Sequence, residues 1–175
     1  NAGFTKRTDQ ATESKEKAEA LLAAMGLKGK YKVVTGSESP MISADKPIDS
    51  EGARLIISEA KKCTPEKPLY VACGASLSNI ASALLIDPSI SKNIIIVWIG
   101  GQEYSIGAVP PPGYSPVEYN LNLSIPAGQV VFNKSDIRLW QVPRDAYRQC
   151  LYSVEEMHAD IKPCGKIGAL LSDAI

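Results

Sequence analysis

The unbroken apolar run Ile94–Ile99 is the feature that most constrains the fold of this chain. A strand with one solvated face alternates apolar and polar residues, whereas a parallel strand covered on both faces reads as a continuous apolar run. Leu69–Cys73 and Ile137–Val142 also read as strands, and segments with helical spacing lie between the three. This alternation predicts βαβ units in an open, mostly parallel α/β sheet with helices on both faces.

Other segments carry weaker patterns. Apolar residues at helical spacing predict helices near Ala18–Met25, Ala53–Ala60 and Leu77–Leu85, with Asp49 or Ser50 as the cap of the second. The β-branched segment Tyr31–Thr35 predicts a short strand. A short helix is expected at Val131 and Phe132, and two more near 154–157 and 167–171.

Composition excludes several partners and settings. Lys and Arg together number 19, as do Asp and Glu, so the chain has no basic excess for nucleic acid or an anionic membrane. The longest apolar run is too short to span a bilayer. The four cysteines form no C-x-x-C pair, which favours a reduced, cytoplasmic protein. A length of 175 residues predicts one α/β domain over residues 1–175.

The stretch "CGASLSN" joins the end of the first predicted strand to the start of a helix. Ligands of open α/β sheets bind beyond the carboxyl ends of the strands. Small residues let the backbone turn sharply there and approach a ligand closely. The segment Gly74–Asn79 is therefore predicted to line a binding crevice.

A long loop, "GGQEYSIGAVPPPGYSPVEYN", follows the Ile94–Ile99 strand at the same edge of the sheet. Long loops in compact domains are usually functional or disordered. If residues 118–123 are extended, Glu118, Asn120 and Asn122 share one face beside the crevice. A solvated edge strand accounts for the same pattern equally well.

Four segments in register resemble the inosine–uridine nucleoside hydrolase family. "CGASLSNIASALLIDPSI" resembles the family's G-x-L-T-N-I-A followed by D-P-S, and "VWIGG" resembles its strand ending in M-G-G. "SPVEYNLNLSIPAGQVVF" is similar to T-P-x-A-E-F-N and the helix after it, and "IRLWQVPRDAYRQC" to the strand ending in V-P-L-D. The resemblance spans roughly residues 1–172.

The resemblance implies an α/β fold, a ribonucleoside substrate, and hydrolysis of the N-glycosidic bond to ribose and a free base. It also implies a homo-oligomer and a calcium ion that grips the ribose diol and the attacking water. The calcium-binding backbone carbonyl maps to Gly74, with an ambiguity of one residue. Glu118 and Asn120 match the family's ribose-contacting glutamate and asparagine. Asn1 is either a further ribose-contacting asparagine or a residue left by cloning.

The sequence departs from the family pattern in several places. It contains no D-x-D-x-x-x-D-D, which supplies most calcium ligands in the family, and no terminal His-Asp segment. Gly113 or Pro112 stands where the family has an asparagine, and Ser124 where it often has an aspartate. The chain therefore resembles the middle of a longer nucleoside hydrolase. No catalytic residue is assigned within it, and we predict that it is inactive alone.

Two other functions fit parts of the pattern. Gly74-Ala75-Ser76-Leu77-Ser78 approaches the G-x-S-x-G of serine hydrolases but lacks the last glycine. The single histidine, His158, lies in a polar segment typical of a surface residue. The second alternative is a non-catalytic module that binds a nucleoside or phosphate on the same scaffold, with the helix start near Ser76 facing the ligand.

Overall fold

A computed structural model describes residues 9–104, 109–110 and 112–174. Its three strands are β1 (Leu69–Cys73), β2 (Ile94–Ile99) and β3 (Arg138–Val142). The helices, in chain order, are α1 (Gln10–Ala24), α2 (Glu51–Ala60), α3 (Ser78–Ile86), α4 (Tyr119–Asn122), α5 (Ile125–Asn133), α6 (Arg144–Tyr147), α7 (Val154–Glu156) and α8 (Gly165–Ser172). A 3-10 helix spans Pro88–Asn93, and a π-helical turn spans Met157–Ile161.

The strands form one parallel sheet in the order β1-β2-β3. Cys73 is opposite Trp98, and Ile99 is opposite Val142, so the three strands end at a common carboxyl edge. The predicted open, parallel α/β sheet is therefore confirmed. The edge at which ligands of such sheets bind carries the turn after β1, the long loop after β2, and α6 after β3.

The core lies on one face of the sheet. Ile94, Ile96 and Trp98 alternate along β2, are fully buried, and pack against apolar residues of α2, α3 and α5. Helix α3 connects β1 to β2, and α5 lies between β2 and β3. Because β-α-β crossovers are right-handed and the strand order runs one way, both connections fall on the same face.

The opposite face has less cover in the described part of the chain. Tyr70 and Trp140 are 57% and 55% exposed there, and their ring centroids lie 5.6 Å apart. In the sheet register Tyr70 is opposite Ile95, which is buried, and Trp140 is opposite Val97. Among the described residues, the two helices that connect the strands, α3 and α5, lie on the core face, because a strand order without a reversal directs both crossovers to the same side.

The predicted strand at Tyr31–Thr35 is wrong. The segment has no strand partner in the described residues, and the Thr35 carbonyl instead accepts a hydrogen bond from Gly52 N at 3.0 Å. β-Branched residues favour a strand only where a neighbouring strand supplies the ladder. None of the described helices has the length and apolar character of a membrane span.

Helix α2 begins as predicted at a serine cap, which gives a first test of the fold. Ser50 Oγ accepts a hydrogen bond from Ala53 N at 3.1 Å and donates one to Asn79 Oδ1 at 2.9 Å. We expect Ser50→Ala to lower the free energy of unfolding by about 1 kcal/mol, measured by urea denaturation. Ser58→Ala on the exposed side of the same helix is the control and should change it little. Equal effects would contradict the cap.

Candidate functional site

A hydrogen bond from a core residue holds the turn after β1 in place. Trp98, which is fully buried, donates its Nε1–H to the Ala75 carbonyl at 2.9 Å. Gly74, one residue earlier, is exposed at the carboxyl edge. Since the Ala75 carbonyl already has a partner inside the fold, this contact favours Gly74 as the carbonyl that the turn presents outward.

Asn79, in the first turn of α3, ties two neighbouring segments to this edge. Its Oδ1 accepts hydrogen bonds from Ser37 N at 3.0 Å and from the Ser50 hydroxyl at 2.9 Å. A Cβ on Gly36 would lie 2.6 Å from Asn79 Nδ2, so the backbone approaches this amide as only a glycine allows. The asparagine of the turn is therefore a structural anchor for the segments around Gly36 and Ser50.

An open cleft of about 810 Å³ lies beside the turn. The first half of α1 forms one wall, and the segment 33–40 and the turn form the others. Its polar lining includes Ser14, Ser37, Ser76, Ser78 and Asn79, and Leu123 closes it on the side of α4. The cleft therefore adjoins the turn after β1 and ends at Leu123, just beyond α4.

Glu118 lies behind this edge rather than on its surface, since it is 1% exposed. Its Oε2 accepts hydrogen bonds from Gly101 N at 2.7 Å and Leu121 N at 3.0 Å, and its Oε1 accepts one from the Tyr147 hydroxyl at 3.0 Å. Three of roughly four acceptor positions of the carboxylate are thus filled by the protein. The glutamate closes the long loop at its base and caps α4.

Residues 119–122 are helical, so the extended face proposed for residues 118–123 is wrong. Glu118 satisfies the N–H of Leu121 at the start of α4, as helix caps do, and this contact outweighs the alternating pattern. In the helix, Asn120 points its Nδ2 at the Ile99 carbonyl, 2.8 Å away. Its Oδ1 carries no hydrogen bond in the described part of the chain and remains an open acceptor.

A buried ion pair fastens the long loop to α6. Arg144, which is 2% exposed, donates its Nε–H and Nη2–H to the two carboxylate oxygens of Glu103 and its Nη1–H to the Ser115 carbonyl. The guanidinium holds the pKa of Glu103 below its usual range, chiefly through the hydrogen bonds between them. Gln102 also holds the loop, since its Nε2–H donates to the Pro116 carbonyl and its Oε1 accepts from Glu118 N. Arg144 and Gln102 together hold the two ends of the loop against each other.

The structure brings some of the predicted site residues together. Gly74 and Asn120 both adjoin Ile99: a Cβ on Gly74 would lie 3.9 Å from Ile99 Cγ2, and Asn120 bonds its carbonyl. Glu118 lies behind Asn120, and its ribose contact stays a prediction. Asn1 lies outside the described residues.

Sequence reasoning missed Arg144, Glu103 and Tyr147. Arg144 and Glu103 are 41 residues apart, so no local pattern links them. The only signal was their position: each follows the end of a predicted strand, and the ends of parallel strands meet at one edge.

The described residues do not fit a calcium site. Calcium takes six to eight oxygen ligands, of which carboxylates set the affinity. Among residues 9–104, 109–110 and 112–174, no group of three or more His, Cys, Asp or Glu side chains could hold a metal ion. The Gly74 carbonyl is a single neutral ligand, and Glu118 is engaged elsewhere.

The serine hydrolase alternative finds no support in the hydrogen bonds. Ser76 Oγ pairs with Ser78 Oγ at 2.7 Å and accepts from Ser78 N. His158 is exposed in the π-helical turn and shares no described hydrogen bond with Ser76. A catalytic serine requires a base within hydrogen-bonding reach.

The fold places this chain among α/β proteins with an open parallel sheet. Its structure is similar to that of an inosine-uridine preferring nucleoside hydrolase from Bacillus anthracis, with a TM-score of 0.55 and 20% identity over 85% of this chain. It is also similar to a purine-preferring ribonucleoside hydrolase from Gardnerella vaginalis, with a TM-score of 0.56 and 22% identity over 88% of this chain. In each case the match covers 46% of the other chain, so this chain spans about half the length of these structures. No protein-family profile and no curated protein sequence matches it.

These similarities confirm the resemblance at the level of the fold. Homo-oligomer formation, a cytoplasmic location and a role for calcium stay predictions.

Proposed function

We propose that this chain forms the ribose-facing part of a ribonucleoside hydrolase. The observation that carries the proposal is the open Oδ1 of Asn120 beside the exposed Gly74 turn, at the carboxyl edge of a sheet with the fold of such hydrolases. Ribose offers vicinal hydroxyl groups that donate to an amide oxygen. A backbone carbonyl and an amide converging on one edge suit that ligand better than they suit a phosphate, which needs N–H donors.

The proposal gives separate parts to the residues of the edge. Asn120 accepts a hydrogen bond from a ribose hydroxyl while Ile99 holds its amide nitrogen. Glu118 positions α4, which carries Asn120. Three acceptor positions of its carboxylate are filled by the protein, so a ribose hydroxyl could donate only to the fourth. Asn79 and Ser50 fix the wall of the cleft on the opposite side. Bond cleavage needs an activated water and a carboxylate near the sugar, and we assign neither within this chain.

Binding is the property to test, because it does not require turnover. We expect inosine and uridine to bind weakly, with dissociation constants on the order of millimolar, as measured by ligand-observed NMR titration. Hypoxanthine, which lacks the sugar, should bind much less. Equal binding of hypoxanthine and inosine would contradict a ribose site.

Asn120→Ala should weaken inosine binding about tenfold, because the amide that faces the sugar is lost. Asn133→Ala, at the exposed end of α5, is the matched control and should bind as the parent chain does. Binding of inorganic phosphate that competes with inosine would instead favour the non-catalytic phosphate-binding module.

A further inference from the structure

Helix α6 lies at the end of β3 and reaches the long loop through two side chains, Arg144 and Tyr147. We propose that Tyr147 is a positioning residue, which fixes Glu118 and, through it, the start of α4 that carries Asn120. The consequence for ligand binding rests on the proposed function, whereas the positioning itself can be measured without a ligand.

The contact between Tyr147 and Glu118 is specific and partly buried. The Tyr147 hydroxyl donates to Glu118 Oε1 at 3.0 Å, on the oxygen that the backbone donors do not use. Each carboxylate oxygen thus has its own partners, which removes the freedom of the carboxylate to rotate. A buried carboxylate with one oxygen unpartnered is costly, so the tyrosine hydroxyl is well placed to fix its orientation.

The charges around the phenol agree with this geometry. The side chains that act on it are Glu118, Arg144 and Glu103, and they belong to α6 and to both ends of the loop. Burial, followed by the hydrogen bond to Glu118, raises the pKa of Tyr147 to about 12. Tyr147 therefore stays a protonated donor throughout the neutral range.

The orientation of the Glu118 carboxylate affects the backbone on both sides of the candidate site. Its second oxygen holds Gly101 N, just after β2, and Leu121 N, in the first turn of α4. Asn120 directly precedes Leu121 in α4, and its Nδ2–H donates to the carbonyl of Ile99, the last residue of β2. A rotation of the carboxylate would therefore shift α4 relative to the strand end, and with it the Asn120 amide.

The first experiment titrates Tyr147 spectroscopically. The difference in tyrosinate absorbance between the parent chain and Tyr147→Phe isolates this residue from the other six tyrosines. We expect a midpoint near pH 12. In Glu118→Gln, which keeps the side-chain size and removes the charge, the midpoint should fall toward the usual value of 10.0. Glu59→Gln, on the distant helix α2, is the control and should leave the midpoint unchanged. An unchanged midpoint in Glu118→Gln would overturn the proposal.

The second experiment follows the backbone amides by NMR. Tyr147→Phe keeps the ring and removes only the hydroxyl, so we expect shifts of the amide signals of Gly101 and Leu121 and a loss of inosine affinity of about fivefold. Tyr70→Phe, on the exposed sheet face, is the control for loss of a tyrosine hydroxyl. If Tyr147→Phe leaves both amide signals in place, the positioning role is refuted. If the parent chain binds no nucleoside, the proposed function fails, and the titration and amide shifts still decide the positioning role.

Discussion

Arg144→Met should lower the free energy of unfolding by roughly 3 kcal/mol, because it leaves the Glu103 carboxylate buried without its cation. The side chains of the pair are 3% and 7% exposed, and the arginine also loses its bond to the Ser115 carbonyl. Urea denaturation with tryptophan fluorescence measures the change. Arg144→Lys keeps the charge but not the two-pronged geometry. Its free energy of unfolding should lie between those of Arg144→Met and the parent chain.

The matched control is Arg54→Met. Arg54 pairs with Asp49 in similar two-pronged geometry, but the two side chains are 58% and 60% exposed. Exposed pairs contribute little, so no measurable loss is expected. If Arg144→Met were as stable as Arg54→Met, the loop would not depend on α6.

The Arg144–Glu103 pair also predicts how the stability of the chain changes at acid pH. The pKa of Glu103 is lowered from 4.5 in the folded chain, so its contribution to stability is present above that value and is lost as the pH falls through the folded pKa. Arg144→Met removes the largest cause of this lowered pKa. The variant should therefore show a shallower fall in stability below pH 4.5 than the parent chain, in urea unfolding measured over a pH series.

The second prediction with a large expected effect concerns calcium binding and nucleoside hydrolysis. We predict that the 175-residue chain neither binds calcium tightly nor releases ribose from inosine or uridine. The mapped site offers one neutral carbonyl, whereas calcium affinity depends on several carboxylates. We assign no activated water, and no base to accept its proton, within the described residues, so we expect no N-glycosidic hydrolysis.

Isothermal titration with calcium and a free-ribose assay measure these two properties. Ribose release well above a buffer control would contradict the prediction. The first carboxylate to test would then be Asp145, whose Oδ1 is buried without a hydrogen-bond partner in the described structure. Asp87 is a weaker candidate, because it already binds Lys61 and Ser89. Asp145→Ala should abolish such activity if this carboxylate is responsible.

The sheet was predictable because its signals are local and one of its faces is covered by the core. The apolar run of β2 and the helical stripe of α3 each occupy a continuous stretch, and the serine cap at Ser50 marks the start of α2. Tyr31–Thr35 carries the same β-branched signal as a strand but lacks a partner strand. Residue preference alone therefore does not identify a strand.

Strand order predicted which residues lie near the carboxyl edge, but not their hydrogen bonds. Gly74 and Asn120 both lie beside Ile99 at this edge, and their roles in binding stay predictions. Glu118, predicted to face the ribose, is instead buried and accepts three hydrogen bonds within the fold. Its partners depend on contacts across 17 and 29 residues, which no periodic pattern encodes.

Amide chemical-shift mapping with inosine tests the ribose-facing edge most directly. We predict that inosine shifts the signals of Gly74–Asn79 and Tyr119–Asn122, that hypoxanthine does not, and that Asn120→Ala reduces the shifts. A second cleft, lined by Lys32, Arg54 and Ser58, serves as an internal reference, and the signals of these three residues should remain unaffected. Absence of shifts at the carboxyl edge at millimolar inosine, or shifts confined to the reference cleft, would contradict the account.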